Sequence, residues 1–176
     1  MCFAEGAVGG LVAVARSPLL RARERLGDGP VARWLIATAI CFKAPYFWSI
    51  RPSFLRLEPG RVEVWVPKRR AVTNHIGTVH AIAMCNAAEL AGGSCVEMSI
   101  APHLRWIPVG MEVEYQKLAQ TSLKAVAVID PDALVEPGDV GVPVTLTDTR
   151  GQQVFVARIR MRLSERRRGE GRHVGG

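Results

Sequence analysis

The sequence predicts an α+β domain in which one long antiparallel sheet packs around one buried helix. Three observations carry this. The chain has 176 residues, enough for a single domain with a substantial core. Its element signals run helix, hairpin, helix and then four strands, rather than alternating strand and helix. One segment, "TVHAIAMCNAAEL", is apolar nearly all round, so as a helix it needs cover on most sides.

The elements follow in chain order. Residues 1–29 read as an extension, either disordered or carrying a short basic helix in "SPLLRARERLGDGP" that Gly27, Gly29 and Pro30 would end. The core domain spans 30–165. It opens with an apolar helix over 31–47, broken at Pro45. "SFLRLEPGRVEVWVP" reads as a hairpin: Pro59-Gly60 turns the chain, and Val62, Val64 and Val66 alternate until Pro67 stops the strand. The buried helix follows over about 78–91, with Asn74 or Thr78 as a cap and Gly92-Gly93 as its stop signal. After a loop containing "APHLRWIPVG" come the four strands. In the first, Met111, Val113 and Tyr115 share one face and Glu112, Glu114 and Gln116 the other. "SLKAVAVID" is more uniformly apolar. Pro143 should place the third strand, "DVGVPVTLTDT", at an edge or a bulge. In the last strand Ala157, Ile159, Met161 and Leu163 face inward, while Arg158, Arg160 and Arg162 face outward.

Composition narrows the function classes. The net charge is +7, but only +3 of it falls on residues 31–165. The tail at 166–176, "RRRGEGRHVGG", has nothing to bury and reads as a solvated, disordered end, so no nucleic-acid partner is expected. The longest plainly apolar runs, such as "WLIATAICF", are much shorter than the roughly 20 residues of a membrane span. Glu5, and no basic residue, precedes the first apolar stretch, which argues against a secretory signal and for a cytoplasmic protein. Cys2, Cys41, Cys85 and Cys95 show no C-x-x-C spacing and sit among apolar neighbours, as small buried thiols do. The pair His75 and His80 lacks a third ligand at a telling distance, so no metal site is predicted.

The stretch "NHIGTVHAIAMCNAAELAGG" raises the functional question. It is apolar, yet it carries Asn74, His75, His80, Asn86 and Glu89. A carboxylate buried on such a helix pairs or loses its charge; an exposed Glu89, or one bonded to Arg105, is the plain alternative. His80 near the helix start suits a cap as well as a catalytic role. His80 and Glu89 are nine residues apart. Along a helix that is roughly 13–14 Å and about half a turn, so the two side chains cannot meet within one chain. If they serve one site, it joins His80 of one copy to Glu89 of another across a two-fold axis. The over-apolar helix and the distant pair thus both point to a dimer.

The segments "APYFWSIRP", "LEPGRVEVWVPKRRAVTNHIGTVHAIAMCNAAELAGG" and "RWIPVGMEVEYQKLA" resemble the hot-dog-fold thioesterases of the PaaI-like acyl-CoA thioesterase group. Within it they are most similar to a thioesterase-like branch related to the C-terminal domain of the YiiD protein. The resemblance covers about 30–165. Its most specific part is an Asn or Gln, five residues, a His-Gly, and an acid nine residues after that His, matched here by Asn74, His80 and Glu89.

The resemblance implies a curved sheet wrapped around the central helix, in a homodimer or dimer of dimers acting on acyl-CoA without a cofactor. Glu89 would be the catalytic base or nucleophile. Asn74 of the other copy would orient water or bond the carboxylate. The N–H of Ala81 would polarise the thioester oxygen, and His80 would fix the turn and meet the substrate carbonyl region. This chain departs from the pattern at His80-Ala81-Ile82, where the family often has His-Gly-Gly. Gly77, with His75 beside it, would then supply the close approach to substrate. Lys68, Arg69 and Arg70 either meet coenzyme A phosphates or form a solvated loop. Two other functions fit the same residues: holding an acyl-CoA or lipid-like ligand without turnover, and hydrating or dehydrating a 3-hydroxyacyl chain.

Overall fold

The computed structural model describes residues 17–166; of the tail predicted at 166–176 only Arg166, whose N–H donates to His103 O at 2.8 Å, lies within them, and Cys2 lies outside. Helix α1 (Pro18–Leu26) starts where Ser17 Oγ accepts from Leu20 N at 3.1 Å, and it ends at Gly27, the stop expected. Helix α2 (Pro30–Lys43) stops just before Pro45, and a 3₁₀ turn (Pro45–Ile50) leads into the sheet. The hairpin is β1 (Ser53–Glu58) and β2 (Arg61–Val66), joined at Pro59-Gly60 as its turn pair predicted. Helix α3 (Ala81–Ser99) follows, then β3 (Leu104–Tyr115), β4 (Leu123–Val128), β5 (Gly138–Asp148) and β6 (Gln153–Glu165).

The six strands form one antiparallel sheet in the order β1-β2-β4-β5-β6-β3. Helix α3 packs against all six. Alternation explains the seam: Val62, Val64, Ala125, Ala127, Leu146, Ile159 and Met161 are fully buried, while Arg158, Arg160 and Arg162 face solvent. No helix among the described residues is long and apolar enough to cross a membrane.

Three expectations need correction. Helix α3 does not stop at Gly92-Gly93 but runs on to Ser99. Both glycines are buried, and their lack of a side chain is a packing requirement. A Cβ on Gly92 would stand 2.9 Å from Ile159 Cδ1, and one on Gly93 2.9 Å from Trp106 Cη2. Strand β3 begins at Leu104, seven residues before the alternation starts, because a bulge between Pro108 and Gly110 breaks the pattern. Third, β5 is an interior strand. Pro143 is tolerated because the β4 ladder ends at Val144, leaving the first half of β5 paired with β6 alone.

The cover over α3 also differs from expectation. The chain's own α1 and the Pro45–Ile50 turn pack directly on α3, and α2 packs in turn against that turn, α1 and β1. Asn86, buried in α3, donates from Nδ2 to Ser49 Oγ at 3.0 Å and ties the helix to that turn. What remains open is a stripe along the first half of the helix: Ile82 and Glu89 are exposed, and Cys85 between them is half-buried.

Candidate active site

The site is built where the chain enters α3. Residues 73 and 79 bridge, Asn74 and Thr78 pair inside them, and 75–77 form a three-residue hairpin loop. Asn74 O accepts from Gly77 N at 3.1 Å, and Asn74 N donates to Thr78 O at 2.9 Å. This is a turn followed by a left-handed residue, and Gly77 supplies it with φ +77°. Asn74 holds the loop with its side chain: Oδ1 accepts from Ile76 N at 3.2 Å and Thr78 N at 3.0 Å, and Nδ2 donates to Thr78 Oγ1 at 2.8 Å. Both acceptor positions are therefore used, and one Nδ2 hydrogen is left. His75 and Gly77 stand exposed at the loop tip. A Cβ on Gly77 would touch nothing within 4 Å, so backbone conformation, not crowding within the chain, selects glycine there.

The helix cap is His80, not Asn74 or Thr78. Its Nδ1 accepts from Ile82 N at 3.1 Å, which leaves the ring proton on Nε2, facing solvent. The N–H of Ala81, in the first turn, has no hydrogen-bond partner among the described residues. The helix start therefore presents the Ala81 N–H, backed by the helix dipole, beside an imidazole N–H.

Glu89 lies mid-helix. It is exposed in the single chain, and no described residue bonds its carboxylate. Arg105 is not its hydrogen-bond partner here: Arg105 Nε donates to Ser164 Oγ at 3.1 Å. Toward the helix start stands Cys85, whose Sγ lies 3.4 Å from Tyr115 Oη. That hydrogen bond, aided by burial, pushes the Tyr115 hydroxyl up to about 12. Cys41 and Cys95 are buried, and burial raises both thiols, Cys95 to about 11, as inert core cysteines require.

Beyond Glu89 opens a cavity of about 620 Å³. Its walls are α1, α2, Phe47 and the second half of α3, closed at one side by Trp106 and Pro108 of β3. The sequence reading missed this cavity and its second carboxylate, Glu97, whose Oε2 accepts from Trp106 Nε1 at 2.7 Å. The signal was present. Once α3 continues through Gly92-Gly93, Glu97 follows Glu89 two turns further on, with Gly93 between them. The basic loop is largely committed to structure: Lys68 Nζ donates to Gln120 O at 2.9 Å and Arg69 to Ser49 O, which leaves Arg70 exposed.

Comparison with known proteins identifies the family and the fold. Residues 32–163 match the family described as a domain of unknown function, DUF4442, and the chain belongs to that family. A genomics crystal structure is 43% identical, with a TM-score of 0.72 over 84% of this chain and 97% of its own. A Pseudomonas aeruginosa protein described as a "probable thioesterase" is 22% identical, with a TM-score of 0.69 over 80% of this chain and all 100% of its own. A thioesterase from Haemophilus influenzae is 10% identical, with a TM-score of 0.63 over 72% of this chain and 87% of its own. At such identities the likeness to these two is one of fold: a long central helix against a six-stranded antiparallel sheet, the hot-dog arrangement. The comparison with curated proteins gave no match.

Proposed function

We propose that the protein hydrolyses an acyl-thioester, acyl-CoA in the first instance, at two equivalent sites of a homodimer. The observation that carries this reading is Glu89: a carboxylate without a partner among the described residues, on the central helix of a hot-dog fold, lining a largely apolar cavity. The spacing of Asn74, His80 and Glu89 supports a place in the PaaI-like group, near the branch related to the C-terminal domain of YiiD.

The chemistry follows from the groups available. The thioester carbonyl of one site takes the Ala81 N–H of one copy, with His80 Nε2–H beside it, and faces Glu89 of the other. Glu89 takes a proton from water as that water attacks the carbonyl carbon. The oxygen that gains charge is held by the Ala81 N–H at the positive end of α3. Collapse breaks the C–S bond, and the proton on Glu89 passes to the departing thiolate, giving a carboxylic acid and a thiol. Direct attack by Glu89, through an anhydride that water then opens, uses the same groups. The remaining Nδ2 hydrogen of Asn74 orients the water or the carboxylate, and Gly77 with His75 borders the entering substrate.

Thiol release from short, long and aromatic acyl-CoAs tests this, using folded wild type and the Glu89→Gln and Glu89→Ala variants. Wild-type turnover should fall by about a hundredfold or more in both variants. Absence of cleavage, or full activity in the variants, would refute the mechanism. Conversion of a 3-hydroxyacyl-CoA to its enoyl product without thiol release would instead select the dehydratase reading.

A further inference from the structure

We infer that the cavity between α3 and the N-terminal helices holds a long acyl chain, with α1 and α2 as the elements that set its length. This rests on the hydrolase reading only in placing the thioester carbon at Glu89; the chain-binding claim stands on the cavity. The far walls are apolar: Leu19 and Ala22 of α1 with Ile36, Ala39 and Ile40 of α2. The polar side chains are few: Glu89, Ser94 and Glu97 along the α3 wall, with Lys43 at the end of α2. Trp106 Nε1, a donor that a polar ligand could have used, is already given to Glu97. The cavity thus lacks the converging donors and acceptors that orient a polar ligand, and it matches a tail that is apolar throughout, with its reactive end at Glu89.

Volume sets the length class. Allowing about 30 Å³ for each carbon, the share of a water molecule in the liquid, a palmitoyl chain needs roughly 480 Å³. The cavity offers about 620 Å³. An acetyl or propionyl group would leave most of it empty, so its apolar walls would contribute nothing to holding a short substrate. Each further methylene that enters should raise kcat/KM by about fourfold until the far wall is reached.

The test uses the full chain and two cavity-filling variants, Ala39→Phe and Ala22→Phe. Ala39 is exposed in the protomer and tolerates bulk, so at least one variant should fold. Thiol release is measured on saturated acyl-CoAs from acetyl to palmitoyl, and binding of cis-parinaric acid, a fluorescent long-chain fatty acid, is measured separately. The expected result is turnover that climbs with chain length in the wild type. In the variants, long-chain turnover and probe binding should fall at least tenfold, with short-chain turnover kept within about twofold. A flat profile, or variants that handle long chains as the wild type does, overturns the inference while leaving thioester hydrolysis intact. If no thioester is cleaved but the wild type binds the probe and the variants do not, the hydrolase reading fails and the inference stands. If the wild type does not bind the probe, the cavity is not an acyl site.

Discussion

At the scale of single residues, the motif residues do structural work that can be separated from chemistry. Asn74 Oδ1 accepts two backbone N–H groups of its own loop, so truncation to alanine would cost about 1–3 kcal/mol of local stability whatever its part in catalysis. Asn74→Asp separates the two roles. The carboxylate keeps both acceptor positions, and the Thr78 hydroxyl can donate to it, so the melting temperature should stay within a few degrees of wild type. The amide hydrogen that would orient water is gone, and a second negative charge stands near Glu89 of the other copy. Turnover should therefore drop at least tenfold in a folded protein. Unchanged turnover would reduce Asn74 to the turn it holds. In the sequence it is the resemblance to the hot-dog thioesterases that singles out Asn74, His80 and Glu89. It could not tell that His80 caps α3 through Nδ1, because Asn74 and Thr78 carry better capping side chains and only the loop closure at 74–78 removes them from contention.

At the scale of elements, α3 shows where local signals lose to packing. Glycine ends many helices because it accepts a left-handed conformation, and Gly92-Gly93 carries that signal. Here the pair lies under Ile159 and Trp106, which approach too closely for any side chain. Nothing local in the sequence distinguishes a glycine that frees the backbone from one that makes room. Strand β6 is the opposite case: its strict alternation over 157–163 was legible because one face is core and the other solvent. The bulge in β3 hid seven residues of strand, since Pro108 and Gly110 are poor strand formers taken singly. The helix glycines give a test with an unusual sign. Gly→Ala inside a helix ordinarily stabilises by about 0.5–1 kcal/mol. Gly92→Ala should instead destabilise by about 1–3 kcal/mol, because the new Cβ meets Ile159 and Val144 in a close-packed core. Adding Ile159→Val to remove the struck methyl should recover part of the loss, as thermal melts of the single and double variants would show. Stabilisation by Gly92→Ala alone would mean that the seam is looser than these distances imply.

At the scale of the whole molecule, the single chain leaves surface that a free monomer has reason to hide. Strand β3 is an edge twelve residues long, with Ile107 59% and Tyr115 48% exposed, and Ile82 on α3 is 53% exposed. A long apolar edge invites pairing with another strand, and a second copy of the same edge is a self-complementary partner. The register of such a dimer follows from the proposed site. If two α3 helices run antiparallel about a two-fold axis, and His80 of one lies opposite Glu89 of the other, the axis crosses between Met84 and Cys85. Cys85 then faces the partner's Cys85 near the crossing point, on the open stripe between Ile82 and Glu89. Cys41 and Cys95 are buried, so in a Cys2→Ser background Cys85 is the thiol placed to react. A short bis-maleimide should therefore link two chains into a covalent dimer, and Cys85→Ser should abolish the link without changing the mass measured by light scattering. A dimer that forms but does not link through Cys85 would require another register, and would separate Glu89 from the Ala81 N–H on which the proposed chemistry depends. A monomer at micromolar concentration would remove the shared site altogether, leaving Glu89 with no His80 within reach.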